Sequence, residues 1–193
     1  MENEKLYPKE IQKGVVFYRK PFSFQDMSED PEDIEAVDID VDDEVKEVVI
    51  CYDLIMPDSE KSFPNVERLV IKSNVFEIRI PNSLFPNVKW VQSESDRFIT
   101  GNCIVLNEMD GYILYNTFCK KEGEVIETDG ITAIKNGAFA GCESTNLTSA
   151  IDVYNGDDIE PDAFAGSAFE KLPFVNGAKM AKNIVIGIDE TLD

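Results

Sequence analysis

The sequence predicts a β-dominated solenoid of short parallel strands, and three observations predict it. A nine-residue apolar pattern recurs at spacings of 21 and 22 residues, the segments linking its copies repeat with it, and an Ala-Phe-Ala-Gly motif returns after 25 residues. A period in the low twenties marks an architecture whose single turn cannot bury its own apolar face and gains a core only by stacking on its neighbours.

The chain opens with a β-branched and aromatic run, Val15 to Phe24, interrupted by Pro21. Such a run forms one or two strands broken at the proline, and an apolar element here suits the open end of a repeat stack. Residues 26–47 follow, with twelve acidic side chains and one lysine. Their first part, with Pro31 and few apolar residues, reads as a linker. From Ala36 onward Val37, Ile39 and Val41 alternate with Asp38, Asp40 and Asp42, the pattern of a half-buried strand with an acidic outer face that runs on into Asp43. Residues 1–44 are therefore assigned to an N-terminal β and acidic capping segment, and 45–193 to the solenoid.

The repeats are Val45-Lys-Glu-Val-Val-Ile-Cys-Tyr-Asp53, Val66-Glu-Arg-Leu-Val-Ile-Lys-Ser-Asn74 and Val88-Lys-Trp-Val-Gln-Ser-Glu-Ser-Asp96. Their returns match as well, with Ile55-Met-Pro-Asp-Ser59 before Phe63-Pro-Asn-Val66 and Ile80-Pro-Asn-Ser83 before Phe85-Pro-Asn-Val88. A weaker fourth copy, Leu147 to Asn155, places Ala150 and Asp152 at apolar positions. Alternation along a strand sends Val48, Leu69 and Val91 inward as one ladder and Ile50 and Ile71 as another. Asp53, Asn74, Asp96 and Asn155 stand where the chain must turn and can satisfy backbone groups there. The opposite face carries Glu47, Val49, Cys51, Arg68, Val70, Lys72, Trp90, Gln92, Glu94, Ser149, Ile151 and Val153. With this apolar content the face, expected to be the concave side of the repeat sheet, is a candidate partner site. Its expected contact residues are Val49, Arg68, Val70, Trp90, Gln92 and Ile151, with Trp90 as anchor.

Between the two blocks of repeats, Asn102 to Asn107 and Tyr112 to Asn116 flank Met109-Asp-Gly111, and Asp-Gly between apolar runs predicts a hairpin insert near residues 98–118. Beyond it, Ile134-Lys-Asn-Gly-Ala-Phe-Ala-Gly141 returns as Ile159-Glu-Pro-Asp-Ala-Phe-Ala-Gly166, which makes Phe139 and Phe164 expected core plugs. The stretch from Ile131 to Cys142, together with Asp-Gly-Tyr-Ile-Leu-Tyr-Asn116, resembles the BspA-type leucine-rich repeat of bacterial and some protist proteins. The resemblance spans roughly residues 45–175. It implies a leucine-rich-repeat solenoid with turn, short-helix or hairpin returns, and a role in binding other macromolecules, often as a surface or secreted adhesin.

Composition narrows the function. With 38 acidic against 18 basic residues the formal net charge is −20, a balance that repels nucleic acid and anionic membrane. There is no histidine, so Ser-His-Asp and Cys-His catalysis are closed to the chain, and no enzyme activity or cofactor is expected. Cys51, Cys103, Cys119 and Cys142 lie far apart, which fits reduced, structural thiols in the cytoplasm rather than a zinc site. The run Asp38 to Asp43 lacks the glycine and the glutamate that an EF-hand loop needs, so no metal is expected there. No apolar segment approaches the ~20 residues that span a bilayer. The expectation is a protein-binding module. Two alternatives stand beside it: an inhibitor or immunity-type protein whose acidic residues 26–47 mimic nucleic acid, and a fragment of an exported adhesin.

Overall fold

The computed structural model describes residues 39, 41–51, 53–109, 111–153 and 158–191, and the backbone of 16–17. Short parallel strands stack coil upon coil as a β-solenoid of about five turns, with almost no helix. The strands are β1 (Val16–Phe17), β2 (Glu47–Ile50), β3 (Leu54–Ile55), β4 (Arg68–Ile71), β5 (Ile78–Arg79), β6 (Trp90–Ser93) and β7 (Ile104–Glu108). Then come β8 (Gly111–Asn116), β9 (Val125–Ile126), β10 (Ile131–Ile134), β11 (Asn146–Leu147), β12 (Ala178–Ala181) and β13 (Ile184–Ile188).

The three strong copies become β2, β4 and β6, joined in one parallel sheet of order β1-β2-β4-β6. Its register aligns Val48 with Leu69 and Val91, and Ile50 with Ile71 and Ser93. All but Ser93 are buried, so both inward ladders form as the apolar spacing requires. Val16 of β1 pairs in parallel with Val49, which places a strand of the N-terminal segment on the free edge of β2. The opposite edge meets an antiparallel bridge, with Val91 and Gly101 exchanging backbone hydrogen bonds of 2.7 and 3.0 Å.

The turns are held by polar side chains that reach one coil along. Asp53 Oδ1 accepts from the N–H groups of Phe76 and Glu77 at 2.8 and 3.0 Å, and Asn74 donates to the Cys51 carbonyl. Ser95, which is buried, has the turn-holding role expected of Asp96: its hydroxyl donates to the Val75 carbonyl at 2.7 Å and accepts from the Arg97 N–H. A small hydroxyl fits that enclosed corner where a carboxylate would be left without water. Asn155 lies outside the described residues.

The expected hairpin is β7–β8, antiparallel, and it stands between two cores. Ile104 and Leu106 join the core of the first block, whereas Cys103, Val105 and Leu114 join that of the second. Strand alternation thus buries both faces of one hairpin, which explains its nearly unbroken apolar sequence. In the second block the two Ala-Phe-Ala-Gly turns stack on each other. Gly137 N–H donates to Asp162 O at 3.0 Å and Gly141 N–H to Gly166 O at 3.1 Å. Phe139 and Phe164 stack with ring centroids 4.7 Å apart, and Phe169 packs edge-on against both.

The acidic segment is described only in part. Ile39 and Val41 are buried against the first core and Asp42 and Asp43 are exposed, so the in-out sense of the alternation holds there. The described part is not a strand, however: residue 39 has no assigned element, and 41–46 carry only a turn at 43–44. Asp38 and Asp40 lie outside the described residues.

Candidate functional site

The outer face of the first sheet is organised in rows set by its register. One row runs Glu47, Arg68, Trp90, and the next runs Val49, Val70, Gln92. Because the strands are parallel and in register, the side chains of each row are neighbours across the sheet.

Charges on this face are paired. Arg68 Nε lies 3.2 Å from Glu47 Oε2, and its guanidinium also donates to the Gln92 side-chain carbonyl. Lys72 bridges to Glu94 at 2.6 Å. At the strand entrances Glu67 is held between Lys89 at 3.0 Å and Lys46 at 3.2 Å, and hydrogen bonds from these two lysines pull its carboxyl below the usual range. Exposed pairs of this kind contribute little to stability. They hold Arg68 and Lys72 in place beside the valine row, in which Val70 is only 9% exposed. Trp90 lies at the end of its row with 42% of its surface open.

Five of the six expected contact residues therefore share this sheet. Arg68, Trp90 and Gln92 are exposed, Val49 is half-buried and Val70 is nearly enclosed. Ile151 does not belong to the set. It is fully buried in the second core, and its copy pairs β11 with β9, not with β6. The strand stops at Leu147, and the Asn183 side chain then holds the Ile151 backbone, accepting from its N–H at 2.9 Å and donating to its carbonyl at 2.8 Å. The larger hydrophobe takes the interior in place of Ala150 and Asp152, and Val153 is half-buried against the same core.

The cysteines are free. Burial pushes the thiols of Cys51, Cys119 and Cys142 up and that of Cys103 up to about 12, the opposite of what a reactive thiolate requires. Among the described residues no group of three or more histidine, cysteine, aspartate or glutamate side chains is placed to hold a metal ion. None of their helices is long and apolar enough to cross a membrane.

A second concavity, missed by the sequence patterns, lies where the two blocks meet. A groove of about 650 Å³ runs between β5 and the 135–141 turn. Arg79, Asn82, Tyr115, Asn116, Lys135 and Glu160 supply its polar lining. Lys135 bridges to Glu160 at 2.7 Å, and that hydrogen bond raises the lysine's pKa. Burial pushes the Glu160 carboxyl up, but hydrogen bonds from Lys135 and the Asn136 N–H outweigh it and hold the group below its ordinary value. The C-terminal hairpin β12–β13, on which the sequence patterns gave no reading, exposes Met180, Val185 and Ile188.

No protein-family model matches the chain, and no curated protein or solved structure is significantly similar to it.

Proposed function

We propose that the chain is a non-catalytic interaction module, a solenoid of the leucine-rich-repeat kind that docks a protein partner on the outer face of its parallel sheet. The observation that carries this reading is Trp90, 42% exposed on a regular strand, beside an aligned valine row and a rim of mutually paired charges. Tryptophan is enriched among residues that dominate binding energy, and a polar rim that keeps water from the centre is the usual setting for one. Because the rim charges are already paired, a partner can cover them without first finding counter-charges for each. The N-terminal segment serves as the cap of the stack, a role supported by the pairing of β1 with the free edge of β2.

The test is capture of the partner from a lysate of the source cells by the whole chain and by Trp90→Ala. Loss of a central tryptophan contact costs about 2 kcal/mol or more, roughly 30-fold in affinity. The variant should lose the partner while its circular dichroism and melting temperature stay those of the parent. Equal recovery on both baits would overturn the reading. Complete loss on raising salt from about 50 to 200 mM would instead favour the acidic-mimic alternative, since contacts that replace phosphates weaken steeply over that range.

A further inference from the structure

The β12–β13 hairpin has two unlike faces, and its register says which residues lie on each. Ala178 pairs with Ile188 and Met180 with Val185. Val175 pairs with Ala178 through backbone hydrogen bonds of 2.8 and 3.2 Å. Cross-strand partners lie on one face of a sheet, and so do residues two apart along a strand. Val175, Ala178, Met180, Val185 and Ile188 therefore share a face, and Lys179, Ala181, Ile184 and Gly187 hold the other. Val185 and Ile188 are three apart and still fall together, because the register shifts between them and Ile186 is taken up as a bulge.

The second face packs on the molecule itself. Ala181 and Ile184 are buried in the second core, and the Lys179 ammonium lies 4.9 Å over the Phe174 ring. The first face stays open. Val175, Met180, Val185 and Ile188 are 61%, 39%, 53% and 70% exposed, and the fifth residue is an alanine. They are four of the nine large hydrophobics exposed among the described residues, so the face is a patch and not the single scattered residues of an ordinary surface.

Charge frames this patch. Residues 171–188 hold three lysines and no acidic residue, the longest run without one in a chain of net charge −20. Lys182 stands in the two-residue turn at the hairpin's tip, and Asp189 and Glu190 follow β13 at its open end. Among the described residues none of these three groups is in a salt bridge.

Such a face is complementary to itself. When two copies meet with these strands antiparallel about a twofold axis, apolar side chains cover apolar side chains. The Lys182 tip of each copy then lies toward the Asp189 and Glu190 end of the other, with the charges at the rim and none at the centre. General repulsion between two copies is weakest where acidic residues are missing. A partner of one charge sign would gain little from the uncharged face and would meet like charge at one of its ends.

We infer that the open face of the β12–β13 hairpin is a self-association surface, on which a second copy of the chain docks antiparallel about a twofold axis. Four exposed side chains make a small interface, whose dissociation constant falls in about the micromolar range. This surface is separate from the Trp90 face, and neither reading depends on the other.

The test is sedimentation equilibrium of the whole chain at about 1 to 300 μM, which brackets that range. The chain should pass from monomer to dimer. Val185→Asn with Ile188→Asn should weaken the dimer about tenfold or more, since these side chains supply much of the apolar area that is covered. Phe76→Ser, at an equally exposed hydrophobe of the first block, should change nothing. Lys182→Glu should also weaken the dimer, and adding Glu190→Lys should restore it, as the antiparallel arrangement requires. All five side chains are exposed, so circular dichroism should stay that of the parent. A monomer over the whole range would overturn the proposal, as would a dimer that survives the Val185 and Ile188 changes or ignores the Lys182 and Glu190 exchange. Co-sedimentation of a monomeric chain with phosphatidylcholine vesicles would overturn it in favour of a lipid surface.

Discussion

If the β7–β8 hairpin is a shared wall, damage on one side of it must be felt on the other. Leu114 is fully buried and faces the second core. Leu114→Ala removes three carbons, about 2.4 kcal/mol at roughly 0.8 kcal/mol per methylene, and the cavity left behind raises the cost to about 3–5 kcal/mol. Against a domain stability of about 5–15 kcal/mol that is a large fraction. The assay is urea unfolding followed by two probes. Far-UV circular dichroism reports all strands, whereas the fluorescence of Trp90, the only tryptophan, reports the first block. Bonds across the junction tie the blocks together: Asn82 to Ala138 and Ala140, Asn116 to Ile80, and the buried Lys120 Nζ to the Val88 carbonyl at 2.8 Å. Both midpoints should therefore fall together with unchanged slope. A fluorescence midpoint that stays at the parent value while the dichroism midpoint falls would show two independent units and refute the shared wall.

Two further outcomes follow from single residues. Gly111 has φ +138°, and a Cβ there would sit 2.2 Å from Thr132 Oγ1, so Gly111→Ala should lower the melting temperature sharply. Adding Thr132→Ala should restore part of that loss in the same thermal scan, and no restoration would place the damage elsewhere. The Cys103 thiol, raised by burial from 9.0 to about 12, makes stability fall as pH rises from 9.0 toward that value, because only the unfolded chain releases the proton there. The loss reaches about 1.4 kcal/mol near pH 10. Cys103→Ala should lose less of its urea midpoint than the parent between about pH 8 and pH 10, and equal losses would contradict the burial argument.

Much of the architecture was legible because the repeats carry their own phase. Val48, Leu69 and Val91 are large and apolar at one position of three successive copies, so their ladder follows from spacing alone. Asp53 and Asn74 were readable as turn residues because short polar side chains at the end of a strand have few other uses. The hairpin was written in Asp-Gly between apolar runs. The fourth copy was misread where the pattern weakened. With Ala150 and Asp152 at the inward positions, the core draws in Ile151 instead, and the distant Asn183, 32 residues on, helps fix the backbone that permits it.

The groove was not legible as a site, yet one of its residues was visible as a departure from the repeat. The return segments align Asp58 with Asn82, one exposed and one buried. At the first position a carboxylate meets water, and nothing more is asked of it. At the second the side chain must face the carbonyls of Ala138 and Ala140, which a carboxylate would repel and an amide can serve as donor. An acid-to-amide change at equivalent positions is thus the mark of a copy that no longer stacks on another copy. It falls where the first block meets the second, and there β5 pairs with β3 alone among the described strands while Ile78 and Ile80 stay buried. In a solenoid every regular coil has its backbone groups satisfied by its neighbours, so open backbone is found at the ends and wherever the repeat is interrupted. The β7–β8 insert interrupts the repeat in the middle of the molecule, and there the side chains of Asn82, Asn116 and Lys120 serve the carbonyls of Ala138, Ala140, Ile80 and Val88.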